Sequence, residues 1–184
     1  THLRSVPPIS RPDNFEDSLF YKLEQLSTIA EQLPNFGGVI HGGDLFDSPQ
    51  VSYKLVSRFY HQVLNKGLLP WYQCIGQHDL WGHNVDSYRV GPLGMLEFVD
   101  GFHVLKPKDC VDGINAYYLP STSGENVVDF LSWVQSIQSG IIVVHGMIAN
   151  RKLPFDYVDA STVFGLLQSG VVMLCGDWHE SFDL

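Results

Sequence analysis

Four apolar runs, each broken by glycine next to a side chain able to bind a cation, constrain this sequence more than any other feature. Gly38 to His41 leads into Gly42-Gly43-Asp44-Leu45-Phe46-Asp47, and Trp71 to Ile75 into Gly76-Gln77-His78-Asp79. Ile141 to Val144 leads into His145-Gly146, and Val171 to Cys175 into Gly176-Asp177-Trp178-His179. Short continuous apolar runs read as strands covered on both faces. A buried strand that stops at glycine leaves its next side chain at the carboxyl edge of the sheet, where open α/β folds place their ligands.

The segments between the runs read mostly as helices, so the fold class is α/β. Asp13 or Asn14 caps a helix with Phe15, Leu19, Leu23, Leu26, Ile29, Ala30 and Leu33 at helical spacing, ended by Pro34. Ser48-Pro49 starts a second helix that reaches Asn65 and stops at Gly67. Residues 80 to 91 read as a long loop and 93 to 99 as a short helix. Strands are expected over 102 to 105 and 114 to 119, with Asp112-Gly113 as the turn signal between them. Helices over 125 to 138 and 157 to 168 flank the strand at 141 to 145. One domain over residues 1 to 184 is the expected organisation, because 184 residues with 45% hydrophobic content suit one well-buried core.

Nothing approaches the roughly 18 apolar residues of a membrane helix, and the N-terminus lacks the layout of a signal peptide. A cytoplasmic, intracellular protein is the expectation, with no membrane partner. Cys74, Cys110 and Cys175 are odd in number and lack CxxC spacing, which argues against a disulfide framework or a thiolate zinc site. Cys74 and Cys175, inside apolar runs, are expected to be buried. The formal charge of −9 argues against gripping nucleic acid by bulk electrostatics. Part of that charge can be ligand carboxylates that bound cations neutralise.

Holding two divalent cations side by side takes about seven to eight protein donors, one of them a bridging carboxylate. Asp44 suits the bridge; His2, His145 and His179 offer imidazole, Asp177 a carboxylate and Gln77 an amide carbonyl. Such a mixed set suits manganese, iron, zinc or magnesium. Each residue also has a plainer role. Gly-Asp after a strand is often a turn or cap, a strand-end histidine is often a satisfied core residue, and Asp177 and His179 would form an ordinary hydrogen-bonded pair. His41, His61, His83 and His103 read as structural or exposed, with only His83 near the Gln77 loop in sequence.

In their order along the chain, His2, Gly43-Asp44-Leu45-Phe46-Asp47, Gly76-Gln77-His78-Asp79, His145-Gly146 and Gly176-Asp177-Trp178-His179 resemble the calcineurin-like metallophosphoesterases. That family's pattern runs Asp-x-His, Gly-Asp-x-x-Asp, Gly-Asn-His-Asp/Glu, His and Gly-His-x-His. The resemblance spans essentially the whole chain, and its Gly-Asp-Leu-Phe-Asp segment is most similar to the SbcD-type DNA repair exonucleases and their phage relatives. It implies a layered sandwich of two mostly apolar β-sheets flanked by helices, and two divalent metal ions. By the resemblance, His2, Asp44 and His179 would hold one ion, and Asp44, Gln77, His145 and Asp177 the other. His78 would be no ligand; it would contact the scissile phosphate and protonate the leaving oxygen. Asp47 and Asp79 would orient their neighbours.

Three departures matter. The pattern's first Asp falls before Thr1, so residues preceding Thr1 are expected, as is a capping region after His179. Gln77 stands for Asn and carries the same carbonyl on one more methylene. Asp177 stands for His and adds a carboxylate, which favours manganese or magnesium over zinc. Manganese is the expected metal. The implied function is hydrolysis of DNA phosphodiester bonds by the catalytic core of a repair or recombination exonuclease, working with an SbcC-type ATPase partner and compatible with a homodimer. Two alternatives stay open. One is the same chemistry on small phosphate esters, cyclic nucleotides or phosphoproteins. The other is a scaffold whose site has decayed, against which the retained His78 counts.

Overall fold

The computed structural model describes residues 1–11, 13–122 and 124–178; His179, one of the expected ligands, lies outside them. Helices and strands alternate in a mixed α/β arrangement, with the described strands in three sheets. Helix α1 (Phe15–Gln32) starts where the Asn14 side chain accepts from Asp17 N, and Glu16 and Asp17 set negative charge against its positive end. Then come β1 (Val39–His41), α2 (Tyr53–Gln62), β2 (Trp71–Cys74), α3 (Pro92–Leu96) and β3 (Phe102–Leu105). β1, β2 and β3 pair in parallel in that order. α2 begins later than Ser48-Pro49 suggested. Ser48 Oγ accepts from Gln50 N and closes a local turn, whereas Ser52 caps the helix at Leu55 N. The segment after Asp79 is more ordered than a plain loop, since Val85–Val90 winds into a 3-10 helix behind Asn84.

β4 (Cys110–Val111) and β5 (Ile114–Tyr118) form a hairpin at Asp112-Gly113, whose positive φ values of 51° and 80° give the turn a twist that suits paired strands. The hairpin partner of β5 is thus Cys110–Val111, while Phe102–Leu105 belongs to the first sheet. After α4 (Glu125–Ser136) come β6 (Ile141–Gly146), β7 (Ile148–Ala149), β8 (Val158–Asp159), α5 (Ala160–Phe164) and β9 (Val172–Asp177). The second sheet runs β4-β5-β6-β9, with β5, β6 and β9 parallel, and β7 pairs with β8. The helix expected over 157 to 168 is cut down to α5. Val158 N bonds to Met147 O and draws its segment into the β7–β8 ladder, and Asp159 then caps the helix at Thr162 N.

The buried apolar residues fall into three clusters. Phe20, Leu23, Phe59, Trp71, Leu93 and Phe102 join the first sheet to α1, α2 and α3. Tyr117, Phe130, Val134, Ile142 and Val163 join the second sheet to α4 and α5. Between the sheets, Tyr72, Cys74 and Leu105 pack with Ile114, Ala116 and Val143. β2 and β5 are consequently buried at every residue, as continuous apolar runs demand. β9 differs because, among the described residues, it has a neighbouring strand on one side only. Val172 and Leu174 are 56% and 41% exposed, and Cys175 is exposed, not buried as its run suggested. α1 is also tied to α2 by Arg58, which pairs with Glu16 at 2.8 Å and Asp17 at 2.6 Å and lies 4.2 Å from the Phe20 ring centre. Among the described residues no helix is long and apolar enough to cross a membrane.

Candidate metal centre

The loops after β1 and β2 and the carboxyl ends of β6 and β9 meet around Asp44, which is 2% exposed. Two glycines permit the approach. Gly43 has φ +99°, and a Cβ there would lie 2.3 Å from His145 Nδ1. A Cβ on Gly76 would lie 2.1 Å from Asp44 Oδ1. Asp79, fully buried, locks the two loops together, accepting from Asp44 N and Gly76 N at 3.0 Å and from Phe46 N at 3.3 Å. Burial pushes its carboxyl up to about 6, against the pull of the Gly76 N–H. These three bonds fix the spacing of the Asp44 and Gly76 loops.

The backbone at His2 is held by the Asp44 loop. Its N–H donates to Asp44 O at 3.0 Å, Leu3 N–H donates to Leu45 O at 2.8 Å, and Leu3 forms a parallel bridge with Phe46. Asp47 lies 3.6 Å from His2 Nδ1 and 3.0 Å from the Arg4 guanidinium, and its carbonyl accepts from His78 Nδ1 at 3.0 Å. His2, Asp44 and Asp177 all have positive φ, at 51°, 53° and 86°. Such conformations cost about 1–3 kcal/mol each in residues other than glycine and gather where surrounding structure enforces them, often at functional sites.

The decisive geometry is the arrangement of acceptors. Asp44 Oδ1 accepts from His78 N–H at 2.8 Å, but Oδ2 is buried without a hydrogen-bond partner among the described residues. His145 Nε2, His2 Nε2 and His78 Nε2 lie 3.3, 3.6 and 4.0 Å from that oxygen. His145 donates Nδ1–H to Gly42 O at 2.7 Å, which leaves a lone pair on Nε2 when the ring is neutral. That lone pair faces Gln77 Oε1 at 2.9 Å, and Gln77 is turned this way by donating its amide N–H to Asp177 Oδ1 at 3.2 Å. With the ring neutral, an imidazole lone pair, an amide oxygen and a carboxylate oxygen converge with no proton among them. Only a cation satisfies all three. A proton can serve: burial lowers the pKa of His145, but Asp44 outweighs burial and holds it above its ordinary value. Burial likewise works to raise the Asp44 pKa, and His145 and the His78 N–H hold it below the usual range. A divalent ion would satisfy the same donors.

On the other flank of Asp44, His2, Asp44 and His78 present ligand atoms within 4.8 Å of one another. Burial lowers the pKa of His2, which keeps the ring in the neutral form that binds metal. Because His78 Nδ1 is engaged by Asp47 O, its Nε2 is the nitrogen turned toward Asp44. Asp44 Oδ2 is thus the common point of two donor groups, and the residues fit divalent cations.

His2, Asp44, His145 and Asp177 line one cleft of about 260 Å³, and Gln77 connects His145 to Asp177. Three further residues gather here without a clear sign in the sequence. His41 lines the same cleft, bonded to Thr1 Oγ1 at 2.6 Å and Gln73 Nε2 at 3.0 Å, with burial pushing its pKa down to about 3. Tyr118 stands in register with His145 on the neighbouring strand, and its hydroxyl meets His83 Nδ1 at 3.0 Å. A tyrosine ending an apolar strand reads as core, and only the β5–β6 register shows that it ends beside the site. No model of a known protein family matches the chain, and no curated protein matches it.

Proposed function

We propose that this chain is a metal-dependent phosphoesterase of the calcineurin-like metallophosphoesterase type that hydrolyses DNA phosphodiester bonds. The observation that carries this reading is the convergence of His145 Nε2, Gln77 Oε1 and an Asp44 Oδ2 that has no hydrogen-bond partner among the described residues, with His2 and His78 on the other flank. Two sheets packed face to face, with helices against their outer faces, support the layered fold that the reading requires. His2, Asp44 and His179 would hold one ion, and Asp44, Gln77, His145 and Asp177 the other, with manganese favoured by the oxygen-rich set. Bound there, divalent ions supply charge neutralisation at the phosphoryl oxygens and an activated water.

The remaining chemistry belongs to the side chains. Asp79 holds the Asp44 and Gln77 loops at fixed separation, so the donor atoms meet a phosphate without rearrangement. His78, anchored through Nδ1 on Asp47 O, turns Nε2 toward the centre, where the imidazolium form would give its proton to the leaving oxygen. The same placement favours a second arrangement, in which His78 Nε2 is a ligand alongside His2 and Asp44. A net charge of −9 leaves most of the grip on DNA to a partner, for which an SbcC-type ATPase is proposed.

The test is hydrolysis of end-labelled linear single- and double-stranded DNA with manganese, magnesium or EDTA. Manganese-dependent degradation is expected, lowered about 10²–10⁴-fold by His78→Ala if His78 is the acid. Cleavage of small phosphodiesters without cleavage of DNA would move the substrate to the small-ester class. Failure to bind manganese at micromolar levels would overturn the metal reading and favour a decayed scaffold.

A further inference from the structure

A second cleft, of about 270 Å³, shares Asp177 with the metal cleft and Gln77 with the acceptor cluster. Leu119, Pro120 and Met147 give it apolar walls, and His83, Tyr118 and Thr122 give it polar groups. Convergent polar groups in an apolar slot are the usual anatomy of a small-ligand seat, and the volume lies just under the ~300–1,000 Å³ of pockets that take a whole drug-sized ligand. There is room for one nucleoside-sized group.

The His83–Tyr118 pair gives the slot its polarity. Tyr118 is 3% exposed, and burial pushes its phenol up to about 12, so the hydroxyl keeps its proton. If that O–H donates to His83 Nδ1, a neutral ring carries its own proton on Nε2. If His83 Nδ1–H donates to the phenol oxygen, the Tyr118 proton is left over. Either way the pair retains one donor for a third partner. His83 sits at φ +58°, a conformation uncommon outside glycine, so the local chain is shaped to bring this ring against Tyr118.

We propose that this cleft seats the sugar–base group esterified to the phosphate at the metal centre. The His83–Tyr118 pair donates to an acceptor oxygen of the sugar or base, and Leu119, Pro120 and Met147 cover its apolar face. The proposal rests on the phosphoesterase reading and names what lies next to the phosphate. A simple alkyl ester would offer the pair no acceptor, so the cleft would select a nucleotide over a bare phosphate ester.

The test uses the full chain. Manganese binding is measured first, by calorimetric titration of the metal alone. Inorganic phosphate and deoxythymidine 5′-monophosphate are then titrated into the manganese-loaded wild type, Tyr118→Phe and His83→Ala. The nucleotide should bind about tenfold more tightly than phosphate, and loss of the spare donor should remove about fivefold of that advantage, the worth of one hydrogen bond: in His83→Ala if the donor is the ring Nε2–H, in Tyr118→Phe if it is the phenol O–H. Phosphate affinity should stay within about twofold, because neither side chain is assigned to the phosphate. Tyr118→Phe keeps the buried ring, and His83 is exposed, so each variant tests the donor and not the fold. A nucleotide bound no more tightly than phosphate, or an equal loss for both ligands, overturns the proposal while the metal reading stands. Absence of manganese binding in the first titration overturns the metal reading, and this proposal with it.

Discussion

Replacing Gly76 by alanine would drive one methyl group into the contact that sets the spacing of the metal centre. Its Cβ would lie 2.1 Å from Asp44 Oδ1, 2.4 Å from Asp44 N and 2.7 Å from Asp44 Cγ, where ordinary Cβ contacts are 3.4–4 Å. The backbone at Gly76, with φ −118° and ψ 171°, suits alanine well, so the whole penalty is steric. Relieving it requires the two loops to part by more than an ångström. That distance breaks the hydrogen bonds crossing between them: His78 N to Asp44 Oδ1 at 2.8 Å, Asp44 N to Asp79 Oδ2 at 3.0 Å and Phe46 N to Asp79 Oδ1 at 3.3 Å. Bonds to carboxylates are worth about 1.5–3 kcal/mol each, so losing all three costs about 4.5–9 kcal/mol. Local relaxation should bring the result toward the lower end. Against a typical total of about 5–15 kcal/mol this is a large fraction. Urea unfolding in EDTA at pH 7 should show a lower midpoint at unchanged slope. Gly67→Ala is the control: at φ +83° with nothing within 4 Å, its cost is backbone strain alone, about 1–2 kcal/mol. A Gly76→Ala loss no larger than that of Gly67→Ala would refute the interlocked loops.

At manganese concentrations about 100 times Kd, ligand linkage should stabilise the wild type by about 2.7 kcal/mol, which raises Tm by about 5–10 °C for a chain of this size. Asp44→Asn should abolish that rise; a retained shift would remove Asp44 from the centre of the site. Burial holds the His41 pKa near 3, well below its ordinary 6.5, so its contribution to stability is full above pH 6.5 and is lost as pH falls toward 3. Full linkage would amount to about 5 kcal/mol, and about 2–3 kcal/mol is expected because the ring is only partly covered. Urea midpoints from pH 8 to pH 4 should fall accordingly and flatten in His41→Gln; an identical slope in the variant would assign the loss to other groups. Arg58→Ala should cost about 1–3 kcal/mol through its lost contacts with Glu16, Asp17 and the Phe20 ring, and Arg58→Lys should recover less than half of that. An unchanged urea midpoint in Arg58→Ala would show that the apolar face of α1 alone fixes it.

Much of the fold could be read from local pattern. A strand with no wet face must be apolar at every residue, which is why Trp71–Cys74 and Ile114–Tyr118 stand out from the helices around them. Caps are local too: Asn14 begins α1, and Asp112-Gly113 turns a hairpin, each through bonds or angles within a few residues. Where the reading went astray, a distant partner had intervened. Met147 O takes Val158 out of a helix, and β9, with a neighbouring strand on one side only among the described residues, leaves Val172, Leu174 and Cys175 exposed despite their composition.

The candidate site divides in the same way. Sequence alone determined which donors stand at strand ends, because glycine next to a polar residue after an apolar run is a contiguous signal: Asp44, Gln77, His78, His145 and Asp177 all carry it. Tertiary structure alone decided what those donors do to one another. The lone pair of His145 is aimed by Gly42, the amide of Gln77 by Asp177, and the spacing of both loops by Asp79, partners 103, 100 and 33 to 35 residues away in the chain. A hydrogen bond fixes a tautomer or an amide orientation only when donor and acceptor meet, and these meet only once two sheets have packed with their carboxyl ends together. The oxygen of Asp44 that has no hydrogen-bond partner among the described residues, on which the metal reading depends, is a property of that meeting and of no single segment.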